Sequence, residues 1–425
     1  MSTIDKKTAP GEVPVRICNY VDVYKNDHIV GTITFMRATA TAQEAERFLL
    51  RVGDVIITKD SESWTDIGVP ALVEYAAPDL VCGYHLAILR TREASLKGSY
   101  LWRVLQSHTA AVQFHMAANG VTRYGLSHDS IKSAFIPMPP VSDQVAINRF
   151  LDHADRRIDR YIFARKQLIA LLNEQKQVII DRAVIRGLDL SARLLSSSVA
   201  WTGDVPKHWQ VLRLKDIAAL RSGKGITYLA ISEAGPYPVY GGNGIRGFTD
   251  TYSHDGEFVL IGRQGALCGN VHIAKGRFWA SEHALVAYPR QALSVSWLGA
   301  LMQTMNLNQY SISAAQPGLA VERLNNLQVP VPPAAEQTAI VEYIASRTGP
   351  IDRAIDAAKR QLRFMQEYRD RQIADVVTGT LDVRAVAAKL PKESDKKEAL
   401  EDADGPMEED GDDPEFAGAP ATAEA

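Results

Sequence analysis

The sequence predicts an α+β protein built from two similar mixed α/β halves in a pseudo-twofold arrangement. A long coiled-coil-like helix follows each half, and an acidic tail ends the chain. Three observations predict this. The stretch Ile136–Asp189 recurs as Val329–Asp382: Pro137, Pro139, Pro140, Gln144, Ile147, Ile158, Asp159, Arg160, Lys166, Glu174, Ile180 and Asp189 each meet an identical residue 193 positions on. Such a repeat is an internal duplication, and two copies are too few for a solenoid. The segment ahead of each copy reads as short strands and turns with one helical patch. From Lys389 onward, 4 lysines face 13 acidic residues, a net of −9 that leaves +6 on the rest of a chain whose total is −3.

In chain order, residues 1–11 read as a flexible leader. Residues 12–140 form a first mixed domain: VPVRICNYVDVY, DHIVGTITFM and GDVIITKD read as strands, and Tyr100–Ala118 reads as helical from its three- and four-residue apolar spacing. Residues 141–190 read as one long helix, with Ser142 or Asp143 as N-cap and Gly187 as the stop. Its apolar or small positions Ile147, Leu151, Ala154, Ile158, Tyr161, Leu168, Leu172 and Ile179 follow a four-three step that Arg165 and Gln175 interrupt. About 43 helical residues span roughly 65 Å, and a helix that long must pack on something, the second copy being the obvious partner. Residues 191–200 are a polar connector and 201–333 a second strand-rich domain. Residues 334–385 are a second helical region, in which Gly349-Pro350 is expected to separate a short helix, about 335–346, from a long one, 351–377. Residues 386–425 are too poor in apolar groups to fold alone.

Bulk properties bound the function. There is no run of about 18 apolar residues to span a membrane, and the first residues lack the apolar core of a secretory signal. Cys18, Cys82 and Cys268 fit neither a disulfide framework nor a zinc spacing, which suits a reducing cytoplasm. A basic body with an acidic tail is compatible with nucleic acid.

The paired (I/V)PxPP-x3-Q-x2-I opening of each long helix, the following Ile158-Asp159-Arg160 and Ile351-Asp352-Arg353, and the closing Leu188-Asp189 and Leu381-Asp382 resemble the specificity subunit of type I restriction–modification systems. So do WTGDVPKHWQVLRLKDIAAL, VYGGNGIRGFT, LIGRQGALCGNV and SEHALVAYP in the second half. The resemblance implies two target-recognition domains, each reading half of a bipartite site in double-stranded DNA. It further implies two antiparallel helices that set the gap and dock two modification (methyltransferase) subunits, with restriction/translocase subunits joining them. The cofactors it implies, S-adenosylmethionine, ATP and Mg, belong to those partners and not to this chain.

Sequence readout needs side chains that reach base edges and cations that hold phosphates. In the second half, Arg263-Gln264 lies between glycines that let a loop approach closely, and Asn243 and Arg246 flank a Gly-rich turn. His283 reads as a strand residue and equally as a satisfied core histidine, and Gln316 precedes Pro317-Gly318. In the first half, Lys59 and Ser63 follow a strand, while Asn119, Arg123 and Tyr124 occupy the place of Ser313–Pro317. Arg156, Arg157 and Arg160 read as an arginine face of the first helix, open to DNA or a partner or, as the commoner outcome, solvated.

A catalytic constellation is missing. The chain has no N/D-P-P-Y/F or F-x-G-x-G motif, GDVIITKD lacks a following E-x-K, and Ser222–Thr227 is not a phosphate loop because Gly225 follows Lys224. The residues therefore favour a non-catalytic recognition subunit. A coiled-coil scaffold whose halves bind protein is the alternative; it would lack salt-dependent DNA affinity. A nuclease or methyltransferase of unfamiliar motif is a third reading, which activity of the isolated chain would support.

Overall fold

A computed structural model describes residues 2–391 apart from 198, 200, 266, 291–292 and 312–317. The chain divides into two compact units, one made of residues up to 162 together with those from 363 on, the other of 163–362. Each long helix, Val141–Arg186 and Ala334–Val377, therefore contributes a part to each unit.

In the first unit, strands order as His28–Ile29, Pro70–Val73, Val55–Thr58 and Leu86–Leu89 in one sheet. A second sheet orders Met36–Ala40, Val13–Cys18 and Leu80–Cys82. Strand Val55–Thr58 is buried on both faces, and its period of two decides which core each residue joins. Val55 and Ile57 meet Tyr100, Trp102 and Leu105 of helix Gly98–Gln106, with Ile147 and Leu151 of the first long helix and Ile373, Val376 and Val377 of the second. Ile56 faces Val15, Ile17, Val73 and Val81 instead.

The second unit repeats this plan. Its six-stranded sheet runs Ala218–Ser222, Ala284–Pro289, His254–Gly262, Val271–Ala280, Tyr237–Gly241, Gly244–Thr249. Val259 and Ile261 join Trp297, Leu298 and Leu301 of helix Val295–Thr304, with Ile180, Ala183 and Val184 of the first long helix and Ile340 of the second. Leu260 faces the other way, toward Ala274, Phe278 and Val286.

A glutamine fastens each domain to its long helix. The Gln144 amide is fully buried. Its Oε1 accepts from the backbone N–H of Lys97 (2.9 Å), the cap of helix Gly98–Gln106, and its Nε2 donates to the carbonyls of Ser95 and Pro139 (both 2.9 Å). Gln337, its repeat mate, accepts from the N–H of Ser294 (3.1 Å), the cap of helix Val295–Thr304, and donates to Pro332 O (3.0 Å). The ion pairs repeat as well. Arg369 pairs with Asp159 in the first unit and Lys176 with Asp352 (2.6 Å) in the second, at positions that the 193-residue register relates.

Six sequence expectations are corrected. Ser2–Ile4 is not a loose leader: Ile4 lies in the core, and the Ser2 hydroxyl donates to Cys82 O. Tyr20–Lys25 is helical, not extended, because Asn19 and Asp22 form a reciprocal capping box. The first long helix starts at Val141, ahead of Ser142 and Asp143, and Pro140 O accepts from Asp143 N (2.9 Å) and Gln144 N (3.1 Å). Gly349-Pro350 does not divide the second helix. Proline forfeits one backbone hydrogen bond there, and burial of Thr348, Ile351, Ile355 and Ala358 carries the helix across. The tail expected from 386 begins later, since helix Arg384–Lys389 buries Ala387; residues 392–425 lie outside the described residues. His283 precedes strand Ala284–Pro289 and is part-exposed, so it is neither a strand nor a core residue.

Replacing Gln144 by alanine leaves the part-buried Lys97 N–H and two carbonyls without this partner, at a total cost of about 1–3 kcal/mol because solvent reaches them in part. Amide exchange at Lys97 is expected to accelerate while Ser294 keeps its protection; equal loss at both would contradict the independence of the two clamps. Arg103, 4% exposed and paired with Asp152 and Asp155 (2.6 Å each), should cost about 3 kcal/mol as alanine in urea unfolding. The part-exposed Lys176 should cost less than about 1 kcal/mol.

Candidate nucleic-acid interface

Both domains build the same backbone frame at the end of their doubly buried strand. In the first, Lys59 N–H donates to His85 O (3.0 Å) and Leu126 N–H donates to Lys59 O (2.8 Å). In the second, Arg263 N–H donates to His283 O (2.9 Å) and Leu319 N–H donates to Arg263 O (3.0 Å). The next residue, Asp60 or Gln264, lies across from Gly125 or Gly318. Lys59 and Arg263 therefore hold equivalent places, as do Asp60 and Gln264, and His85 and His283.

In the first domain the pairing of Asp60–Ser61 with Tyr124–Gly125 brings two separate loops together. Gly120 permits the turn: its φ is +146°, and an added Cβ would stand 1.8 Å from Arg123 O. Arg123 Nη2 donates to Asp60 Oδ1 (3.0 Å) and lies 3.0 Å from a ring nitrogen of His85. Lys59 Nζ donates to Asp60 Oδ2 (2.8 Å), and His85 Nδ1 also contacts Asp60. Burial by itself would lift the Asp60 carboxyl, but the Lys59 ammonium and the His85 ring outweigh it and hold the carboxyl below its usual range. Burial pushes the His85 imidazole down, against the pull of Asp60. The cluster thus carries two cations on one carboxylate.

The other first-domain candidates are spent on local structure. Ser63 Oγ accepts from Thr65 N and caps the short turn Trp64–Asp66. Asn119 exchanges backbone hydrogen bonds with Gly125, and its side chain donates to Ala117 O (3.0 Å). Tyr124 packs on the core.

In the second domain Asn243, Arg246, Gln264 and His283 line one open depression floored by Gly241, Gly242 and Gly244. Gly244 has φ +93°, a conformation that favours glycine, and at Gly242 a Cβ would sit tightly, 3.3 Å from Gln264 O. Asn243 occupies the tip between strands Tyr237–Gly241 and Gly244–Thr249 and accepts from Asn270 Nδ2 (2.8 Å). Arg246 and Gln264 are exposed. Arg263 is not among the residues lining the depression, and its Nη1 donates to Ser222 Oγ (3.1 Å). Gln316 lies outside the described residues.

Asp60 and His85 were absent from the sequence-based set. The signal that could have found them is positional: each follows or precedes a buried strand, as Gln264 and His283 do. Among the described residues no group of His, Cys, Asp and Glu is arranged to hold a metal, and no helix is long and apolar enough to cross a membrane. The arrangement offers donors, one shielded carboxylate and glycine-lined access, which suits polar recognition of a polyanion.

The chain resembles known proteins along most of its length. The type I restriction enzyme EcoprrI specificity subunit of Escherichia coli is 45% identical over 135 residues, 31% of this chain and 34% of that protein. The type I restriction enzyme MjaVIII specificity subunit of Methanocaldococcus jannaschii is 23% identical over 278 residues, 59% of this chain and 62% of that one. These matches thus span about a third and three-fifths of the relatives' own lengths. A solved chain from work on complex assembly and conformational transition of the type I R-M system shares the fold, with a TM-score of 0.59 at 17% identity over 88% of this chain and 100% of that one. The model of the type I restriction modification DNA specificity domain matches twice, at residues 12–169 and 206–352. Those two matches take in well over half of the sequence, and the protein belongs to the type I restriction–modification specificity family.

Proposed function

We propose that the chain is the DNA-reading, non-catalytic subunit of a type I restriction–modification complex, with each recognition domain, 12–140 and 201–333, contacting one half of a bipartite double-stranded site. The observation that carries this is the twice-built frame. Lys59 with Arg123 in one domain, and Arg263, Gln264, Asn243 and Arg246 in the other, stand at the same strand end with different side chains. One frame with two chemistries is what two unlike half-sites require. Asn119, Ser63 and Tyr124 then shape the first loop, and Gln316 completes the set.

The helices 141–190 and 334–385 act as an antiparallel, coiled-coil-like spacer in a pseudo-twofold molecule. Support comes from the contacts inside each unit, where the beginning of one long helix meets the end of the other. Methyl transfer, ATP use and cleavage belong to modification and restriction subunits that dock on this spacer. The acidic stretch 390–425 mimics DNA and so lowers non-specific binding to the basic body.

Selection from random duplex DNA, with the chain co-purified with its own partners, should return two short motifs at one fixed spacing. No enrichment, with no salt-dependent affinity, would leave the protein-binding scaffold instead. Alanine at Gln264 or Arg246 should lose about 1–3 kcal/mol of discrimination at one half-site and leave the other intact. Removing residues 390–425 should tighten binding to unrelated DNA, and an unchanged affinity would dismiss the mimicry by the tail.

A further inference from the structure

We infer that Asp60 is a positioning residue that presents Arg123 to a guanine in the half-site read by the first domain. The inference rests on the DNA-reading proposal above and names one base within it. Asp60 and His85 are each 18% exposed at the side chain and Lys59 19%, whereas Arg123 is 51% exposed. The carboxylate is the floor of the cluster and the guanidinium its tip. Arg123 Nη2 is held by Asp60 Oδ1 at 3.0 Å, with the His85 ring beside it, so the planar fork has a fixed direction. Its remaining N–H groups are free to donate.

The carboxylate decides between two uses of this arginine. A phosphate contact needs only a cation on a flexible stem, and it gains nothing from a carboxylate that neutralises part of that charge and fixes its direction. A base edge is uncharged, and a guanine presents O6 and N7 to two parallel N–H donors. Reading it therefore tolerates the acid and gains from a fixed fork. The second domain provides the contrast: at the place of Asp60 it has exposed Gln264, with Arg263 turned away to Ser222. That domain has no acid at this place to buttress an arginine.

The test runs the random-duplex selection on the full chain with its co-purified subunits, as wild type and as Arg123→Ala, Asp60→Ala and Asp60→Glu. Arg123→Ala should flatten one G·C position of one half-site, by about 5- to 150-fold in preference. Asp60→Ala should flatten that same position while raising affinity for unrelated DNA, because a negative charge is gone. Asp60→Glu should restore preference at least in part. A merely structural Asp60 would blur every position of the half-site and lower the melting temperature, and a mere charge effect would raise affinity with the position still sharp; either result overturns the inference while the two-part site stands. Should Asp60→Ala fail to fold, Arg123→Ala decides alone, since relaxation at an A·T pair or at no position refutes the guanine contact. If the wild type selects no two-part site, the reading beneath falls and the inference with it.

Discussion

A buried glutamine amide joins each recognition domain to its long helix, and the placement of both candidate reading surfaces depends on it. Gln144 and Gln337 each satisfy an otherwise orphaned N–H at the start of the domain's packing helix while bridging to the proline turn that opens the spacer. A helix start that is buried must find such a partner. The long side chain of glutamine offers donor and acceptor together, so one residue answers the helix N-terminus and the turn carbonyl at once. The packing helix covers the doubly buried strand, and the end of that strand carries Lys59 or Arg263. Long helix, packing helix, strand and candidate loop therefore form one continuous sequence of contacts inside each unit.

This explains which part of the fold was legible in the sequence. The spacer repeat is legible because its constraints are internal: a fixed register of 193 residues keeps Gln144 on Gln337, Ile147 on Ile340 and Asp159 on Asp352. Local rules failed where a neighbour outvoted them. Pro350 reads as a break, yet the buried face formed by Ile351, Ile355 and Ala358 holds the helix straight through it. The run after Cys18 reads as β from its valines and tyrosines, yet the reciprocal Asn19–Asp22 cap turns it into a helix. Ile4 reads as leader because one apolar residue among polar ones shows no period, and only the core it enters reveals it.

The candidate site was half legible for a different reason. Arg263, Gln264, Asn243 and Arg246 announce themselves through flanking glycines. Their counterparts in the first domain do not, since the loops between the equivalent points differ in length. Lys59 and Arg263 are 204 positions apart, His85 and His283 198, and Leu126 and Leu319 193. No single register aligns all three pairs, so the equivalence emerges only from matching backbone hydrogen bonds. Asp60 also argues against itself in a sequence, because an acid is not expected where DNA binds.

On the proposed reading, that acid divides affinity from specificity between the two domains. Cations that serve phosphate gain from being unpaired and exposed, and they bind any duplex alike. A cation tied to a shielded carboxylate gives up some of that attraction, since its charge is partly neutralised. It gains a defined direction, which an uncharged base edge can reward and a diffuse phosphate charge cannot. In the first domain Lys59 and Arg123 are both tied in this way, so its surface is the weaker attractor and the more directional one. In the second, Gln264 and Arg246 are exposed over a glycine floor, and no carboxylate lines that depression. Two domains that share one backbone frame thus differ at its strand end in a single negative charge, Asp60 standing where the other has Gln264.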